Sequence, residues 1–332
     1  MKKLRFGIIG CSGIAESSTI PSILNSKYAD LEFIGSRTEK KSKEFANKFK
    51  CKKFGSYEDV LDNDDVDAVY ISVPVGLHEK WSMKAAKKGK HILCEKSSTT
   101  SFSSAKKMVF ESKKNNIRLM EAFMFRFHPQ HSKVKELIKR NLLGKIYTFS
   151  GFYGFLPIPR TNIRFDKKLG GGILNDAGCY PICASRILFD EEPKSVFCNL
   201  VIDKKSMVDT KANLFLKYDG IKSAFMSVGY DVSYRSTYGL WGTKGNLSLK
   251  RAYNIPANMS AKITLNTNKM NMISVRPVNH FSLMIDNFSK VLQGIIQPSF
   301  NFEDDILKQA RIMEAARKSS QTKKEIKIKD IK

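Results

Sequence analysis

The segment that most constrains what this chain can fold into is its opening, Lys3 to Ala15, reading KLRFGIIGCSGIA. A short apolar run (Leu4, Phe6, Ile8, Ile9) leads into Gly10-Cys11-Ser12-Gly13-Ile14-Ala15, and a polar, helix-compatible stretch follows. Strand, tight glycine turn and helix, in that order, form the opening βα unit of a dinucleotide-binding fold. Gly10 permits the sharp turn. A small residue at Ser12 lets the main chain approach a pyrophosphate, and Ala15 lets the helix close on the strand. The helix start offers N–H groups and a positive dipole end to phosphates. Ser12 stands where the usual G-x-G-x-x-G/A pattern has its second glycine, with Gly13 beside it. Two other readings are a βα joint without ligand and a lipoprotein signal, since Lys2-Lys3 precede Ile8-Ile9-Gly10-Cys11. A signal needs roughly 7–15 apolar residues, and only Phe6 to Ile9 is available.

A chain of 332 residues is expected to form about two domains. No apolar run approaches the roughly 18 residues of a membrane span. The six cysteines form no CxxC pair and no metal-ligand spacing, so they are expected to be reduced thiols in a cytoplasmic protein. The net charge of +25 raises the question of nucleic acid. The lysines are nevertheless spread along helices, as at Lys84, Lys87, Lys88, Lys106, Lys107, Lys113 and Lys114. The expectation is a solvated basic surface that steers anionic ligands such as dinucleotides or nucleotide sugars, with no nucleic-acid or membrane partner.

Residues 1–122 alternate strand and helix. Strands are expected at Leu31–Ser36, near Phe54, at Val66–Val73 (stopped by Pro74), at His91–Cys94 and at Arg118–Ala122. Helices are expected at Glu39–Lys50, Tyr57–Leu61 and Leu77–Lys88, and from Phe102 to Asn115. Such alternation implies a parallel sheet with helices on both faces. At the end of the second strand, NAD-binding folds tend to carry a carboxylate for the ribose 2′-hydroxyl. This chain has Gly35-Ser36-Arg37-Thr38 and no acid until Glu39. A hydroxyl plus a guanidinium suits a phosphate monoester, which favours NADP(H) over NAD(H).

After 122 the pattern changes. A strand is expected at Ile146–Tyr153, and a helix over 173–189 follows Gly170-Gly171-Gly172. Strands are expected near 195–203, 208–218, 222–230, 235–243 and 246–250, which reads as an antiparallel sheet. Two helices follow, one lined by Phe281, Met284, Ile285, Phe288 and Leu292, the other by Ile306, Ala310 and Met313. The tail from Lys323 to Lys332 reads as a short strand or a frayed end.

Three further runs carry a resemblance. ILCEKS (Ile92 to Ser97), EAFMFRFHPQH (Glu121 to His131) and GGGILNDAGCYPI (Gly170 to Ile182) resemble the Gfo/Idh/MocA oxidoreductases. Within that family they are most similar to the branch of xylose dehydrogenases, dihydrodiol dehydrogenases and nucleotide-hexose 3-ketoreductases. With the glycine turn and Ser36-Arg37, the matches run from 7 to about 182. The resemblance implies an NADP(H)-binding Rossmann domain over 1–122. It also implies a substrate-binding α+β domain over 123–332, whose open-faced, mostly antiparallel sheet makes a homodimer or homotetramer. Cofactor contacts are implied for Gly10, Ser12, Gly13, Ile14 and Ala15 in the turn, and for Ser36 and Arg37 beyond it. Pro74, His78, Glu95, Lys96 and Arg164 complete that set.

Lys96 ends a strand on the carboxyl edge of the sheet, where doubly wound folds bind ligands. A lysine there can hydrogen-bond the substrate oxygen and stabilise charge building on it. Reducing a carbonyl also needs a proton donor. Tyr180 stands where many family members carry histidine, and the branch named above has tyrosine, so Tyr180 is the expected donor. Asp176 lies four residues before it on the same expected helix, and with Lys96 would lower its pKa or position substrate. Ser97 replaces the proline that follows this lysine in relatives and would hold its backbone less firmly. Arg126 and His128 are candidate pocket-wall residues. Arg160, like Arg164, is a candidate contact for an anionic substrate, while His128 and His131 lack a third metal ligand in the sequence. The expected reaction is hydride transfer to or from a sugar carbon, with reduction of a keto sugar, nucleotide-linked or not, as the favoured case. The alternatives are dehydrogenation of a free aldose or cyclic diol and, in another class, a non-catalytic dinucleotide-binding regulator.

Overall fold

The computed structural model describes residues 2–332. The chain divides into two compact units. One comprises the chain up to Met124 together with Phe281–Leu307; the other comprises Phe125–His280 with Lys308–Lys332.

The first unit is built on six parallel strands: β1 (Leu4–Ile9), β2 (Ala29–Gly35), β3 (Lys53–Gly55), β4 (Ala68–Ile71), β5 (His91–Cys94) and β6 (Leu119–Glu121). Their spatial order is β3-β2-β1-β4-β5-β6, so the winding reverses between β1 and β4. β4 and β5 are buried almost throughout, as expected of strands covered on both sides by helices. Crossovers run through α1 (Ile20–Leu24), α2 (Glu39–Phe49), α3 (Tyr57–Asp62), α4 (His78–Lys87) and α5 (Phe102–Lys114). Local chemistry sets their ends. Ser56 Oγ accepts the Asp59 N–H while Asp59 Oδ2 accepts the Ser56 N–H, a reciprocal cap that starts α3. Lys50 in the left-handed region (φ 55°) stops α2. The turn after β1 does not open straight into an α-helix: Ala15–Thr19 forms a π turn before α1. Residues from α8 (His280–Leu292) and the start of α9 (Phe302–Thr322) complete this unit's core. Phe288 packs 6.2 Å from both Phe6 and Phe302, ring to ring.

The second unit holds α6 (Pro129–Lys139), α7 (Cys179–Phe189) and a nine-stranded sheet. Its strands are β7 (Ile146–Gly154), β8 (Ser195–Ile202), β9 (Asp209–Lys217), β10 (Ser223–Gly229), β11 (Arg235–Gly242), β12 (Asn246–Leu249), β13 (Ala261–Asn266), β14 (Met270–Val275) and β15 (Ile326–Lys327). They lie in the order β14-β13-β12-β11-β7-β10-β9-β8-β15. All pairings are antiparallel except β7 with β10. The expected strands stop at 250, whereas the sheet continues through β13 and β14; Ala261, Ile263 and Leu265 are buried on alternate positions. The tail is tied down, because β15 pairs with β8.

The expected helix over 173–189 is a π turn (Leu174–Gly178) that continues into α7. Its start is capped from the sheet by Asp209 Oδ2, which accepts the Leu174 N–H at 2.6 Å. α7 is buried nearly throughout. Gly151 on β7 makes room for it, since a Cβ there would sit 2.7 Å from Pro181 Cβ. Exposed apolar side chains on the strands include Phe197, Val201, Phe225, Trp241, Met270 and Met272. No helix of the described residues is long and apolar enough to cross a membrane.

Candidate active site

In the first unit every parallel strand ends on one edge, and the expected cofactor residues other than Arg164 lie in the segments that follow these strands. Gly10, at φ +114°, follows β1. A Cβ on it would lie 3.0 Å from Ser72 C and Val73 N, so the turn has no space for a side chain. Ser72 Oγ donates to Gly10 O at 2.7 Å, which fastens the turn to the segment after β4. Ser12 folds back on the helix start, where its Oγ accepts the Ala15 N–H at 3.1 Å. Ala15 is fully buried, and Ile14 precedes it with helical backbone angles. A Cβ added to exposed Gly13 meets nothing within 4 Å, so the main chain there is open to an approaching group.

Ser36 and Arg37 follow β2. Ser36 is buried, with its N–H donating to Gly55 O at 3.0 Å, while Arg37 is exposed. Pro74 caps the 3-10 turn Val75–Leu77 that leads into α4. His78 begins α4 and is buried: Nε2 lies 2.8 Å from Val73 O and Nδ1 3.0 Å from Ser97 O. Burial pushes its pKa down to about 4. Its imidazole thus faces main chain, a placement that the sequence did not reveal. Glu95 and Lys96 follow β5, both half-buried, and Tyr70 donates its hydroxyl hydrogen to Glu95 Oε1. Burial raises the Glu95 carboxyl, against the pull of the Tyr70 hydroxyl and the Lys96 charge. The Lys96–Ser97 peptide is cis.

The closed turn at Gly10 and the open main chain at Gly13 fit the phosphate chain of a dinucleotide. A nicotinamide group, when bound, supplies or takes the hydride at C4.

In the second unit Tyr180 lies in the first turn of α7 and is 4 % exposed. It sits in an aromatic cluster, with ring centroids 5.7 Å from Phe125, 5.2 Å from Tyr153 and 5.8 Å from Tyr253. Asp176, in the π turn, is held by Arg164: Nε donates to Oδ2 at 2.6 Å. The Tyr230 hydroxyl lies 3.3 Å from the same oxygen. Asp176 raises the Arg164 pKa, so the guanidinium stays protonated. Asn162 Oδ1 accepts the Arg164 backbone N–H at 3.1 Å and orients its loop. Arg164 therefore joins Asp176, within one unit.

Arg160 is exposed and reaches Asp231 at 2.9 Å, with its guanidinium 4.4 Å above the Phe165 ring. Arg126 lies half-buried in the 3-10 turn Met124–Phe127. His128 is fully buried and caps α6, its Nδ1 accepting the Gln130 N–H. His131 Nδ1 lies 3.0 Å from the Tyr238 hydroxyl. Burial pushes His128 to about 4 and His131 to about 3. Among the described residues no group of three or more His, Cys, Asp or Glu side chains could hold a metal ion. Tyr70, Glu121 and Tyr230 were not singled out in the sequence; a tyrosine inside the apolar run VDAVYISV was the one visible hint.

Two family models match the chain. Residues 4–123 match an oxidoreductase family with an NAD-binding Rossmann fold, and residues 131–248 match the GFO/IDH/MocA C-terminal domain. A dTDP-3,4-didehydro-2,6-dideoxy-alpha-D-glucose 3-reductase from Saccharopolyspora spinosa is 32% identical over 264 residues, 80% of each chain. A D-xylose 1-dehydrogenase (NADP(+)) from Haloferax volcanii is 31% identical over 305 residues, 91% of this chain and 93% of that one. Among solved structures, a 3-ketoreductase from Actinomadura kijaniata in complex with NADP and TDP-benzene superposes with a TM-score of 0.92 at 28% identity, covering 96% of this chain and 98% of that one. These relatives are sugar oxidoreductases. The NAD(P)-binding Rossmann sheet, the open-faced second sheet and the matches across both units make this chain an oxidoreductase of the GFO/IDH/MocA family.

Proposed function

We propose that the protein transfers a hydride between NADP(H) and a sugar carbon, with reduction of a keto sugar, nucleotide-linked in the favoured case, as its reaction. The observation that carries the cofactor preference is the end of β2, where a buried serine and an exposed arginine stand where a carboxylate would select the 2′-hydroxyl. The dTDP-sugar reductase relative supports the substrate class. In this reading Tyr180 gives the proton to the new alkoxide. Lys96 hydrogen-bonds the reacting oxygen and stabilises the charge that builds there. Asp176, anchored by Arg164, orients the substrate beside Tyr180.

The D-xylose dehydrogenase relative favours a second reading, oxidation of a free aldose. One experiment separates the two: follow NADPH absorbance with a panel of dTDP-linked keto sugars, with NADH in parallel, and run NADP+ with free aldoses and cyclic diols. Consumption of NADPH with a keto sugar supports the first reading, and NADPH formation from an aldose or diol the second. Turnover with neither, despite tight NADPH binding by fluorescence, would favour a cofactor-binding regulator.

The exposed apolar side chains of the nine-stranded sheet support self-association through that face, as a homodimer or a homotetramer.

A further inference from the structure

Lys96 carries a long side chain with many rotamers, on a segment with no proline ring to fix its backbone. The neighbouring main chain is nevertheless held from three sides. From β4, Tyr70 donates to Glu95 Oε1, and Glu95 Oε2 accepts the Lys96 N–H at 3.3 Å. From the start of α4, His78 stands between two carbonyls, Nδ1 3.0 Å from Ser97 O and Nε2 2.8 Å from Val73 O, and its neutral ring has one N–H to donate between them. From the last residue of β6, Glu121 Oε1 accepts the Ser98 N–H at 2.7 Å.

We infer that Tyr70, His78 and Glu121 are positioning residues that fix the main chain on either side of Lys96, acting through Glu95, Ser97 and Ser98. The inference rests on the reading of Lys96 as a catalytic group. Tyr70, His78 and Glu121 are buried, at 0 %, 1 % and 6 % exposure. Burying a phenol, an imidazole and a carboxylate costs desolvation that apolar residues of similar size would avoid. That three such groups converge on four consecutive residues is accounted for by what those residues carry. A catalytic ammonium must sit within about half an ångström of its working place, and its own stem cannot supply that precision. Firm anchoring of its Cα leaves only the side-chain torsions to be set by cofactor and substrate.

The test is a double-mutant cycle on the full-length protein, reading single-turnover hydride transfer from NADPH to the keto sugar. Lys96→Met alone is expected to remove most of the rate. Tyr70→Phe alone is expected to slow transfer about tenfold with the NADPH dissociation constant unchanged. Added to Lys96→Met, it should cost nothing further, because it acts through the lysine. Equal loss in both backgrounds, or no loss in either, overturns the inference. Full activity in Lys96→Met overturns the catalytic reading of that lysine, and the positioning role with it. Should Tyr70→Phe fail to fold, Glu121 provides a second pair. Glu121→Gln keeps an acceptor for the Ser98 N–H and should keep most of the rate that Glu121→Ala loses; equal rates in the two would overturn the role.

Discussion

Arg164 and Tyr230 converge on one oxygen of Asp176, with Nε 2.6 Å and the phenolic oxygen 3.3 Å from Oδ2. A carboxylate gripped at one oxygen has its plane and its second oxygen directed. Because the Arg164 side chain is 42 % exposed, the pair adds about 1 kcal/mol or less to stability. Its loss should therefore appear in turnover rather than in folding. Arg164→Met is expected to lower kcat for the keto sugar about tenfold while the melting temperature falls by only a few degrees. Stopped-flow NADPH oxidation beside a thermal melt checks this. A large drop in Tm with kcat intact would assign the pair to the scaffold.

Arg37, exposed after β2, directly follows buried Ser36 in the chain. A charge-assisted contact to a 2′-phosphate is worth about 1.5–3 kcal/mol, or roughly 10- to 150-fold in affinity. Arg37→Asp is expected to lower kcat/KM for NADPH by at least about tenfold and to leave or improve that for NADH. Unchanged NADPH selectivity would remove this residue from cofactor discrimination.

All five histidines of the chain are buried or half-buried, and burial depresses His78, His128 and His280 to about 4 and His131 to about 3. An unfolded histidine titrates near 6.5. Between those values the unfolded chain binds more protons, so stability falls as pH drops. The contribution is full above about pH 6.5 and is lost progressively toward pH 4. A shift of that size is worth about 3 kcal/mol for a single ring. Urea midpoints should thus fall steadily from pH 7 to pH 5, before most carboxylates titrate. His128→Asn, at a ring whose Nε2 has no hydrogen-bond partner among the described residues, should make that slope shallower. A flat profile would show that these rings are hydrated or protonated in the folded protein.

Phe225 stacks on Phe215 at 4.7 Å between ring centroids, and Trp241 meets Tyr147 at 5.0 Å; Phe225 and Trp241 are more than half-bare or nearly so, at 50 % and 58 % exposure. If this face joins two copies, Phe225→Lys with Trp241→Lys should give a monomer by light scattering, with little change in secondary structure. Retention of the wild-type mass would place the association elsewhere.

The alternation of apolar runs, glycine turns and amphipathic helices made the parallel sheet legible, because β4 is buried throughout and β1 and β5 are buried apart from Arg5 and His91. Gly10 was legible for the same kind of reason: only glycine accepts a φ of +114° against the Ser72 main chain. What stayed hidden depends on contacts made at long range. The period of Phe281, Met284, Ile285 and Phe288 marks an apolar helix face but not the core it enters, which Phe6 supplies. Similarly, spacing brought Asp176 near Tyr180, while the arginine that holds it stands 12 positions upstream across a glycine-rich loop. Ties to Ser97 O and the Ser98 N–H involve main-chain atoms, which carry no residue code at all.

The discontinuity of the first unit bears on how the chain is made. Its six strands have all left the ribosome once Glu121 emerges, yet Phe288 and Phe302, which close its core on Phe6, follow more than 160 residues later. At about 5–20 residues per second, the half-finished nucleotide unit waits on the order of ten seconds with an apolar surface uncovered. Messenger features that slow translation before residue 281 would lengthen that exposure, and a fragment ending at Met124 would keep it indefinitely.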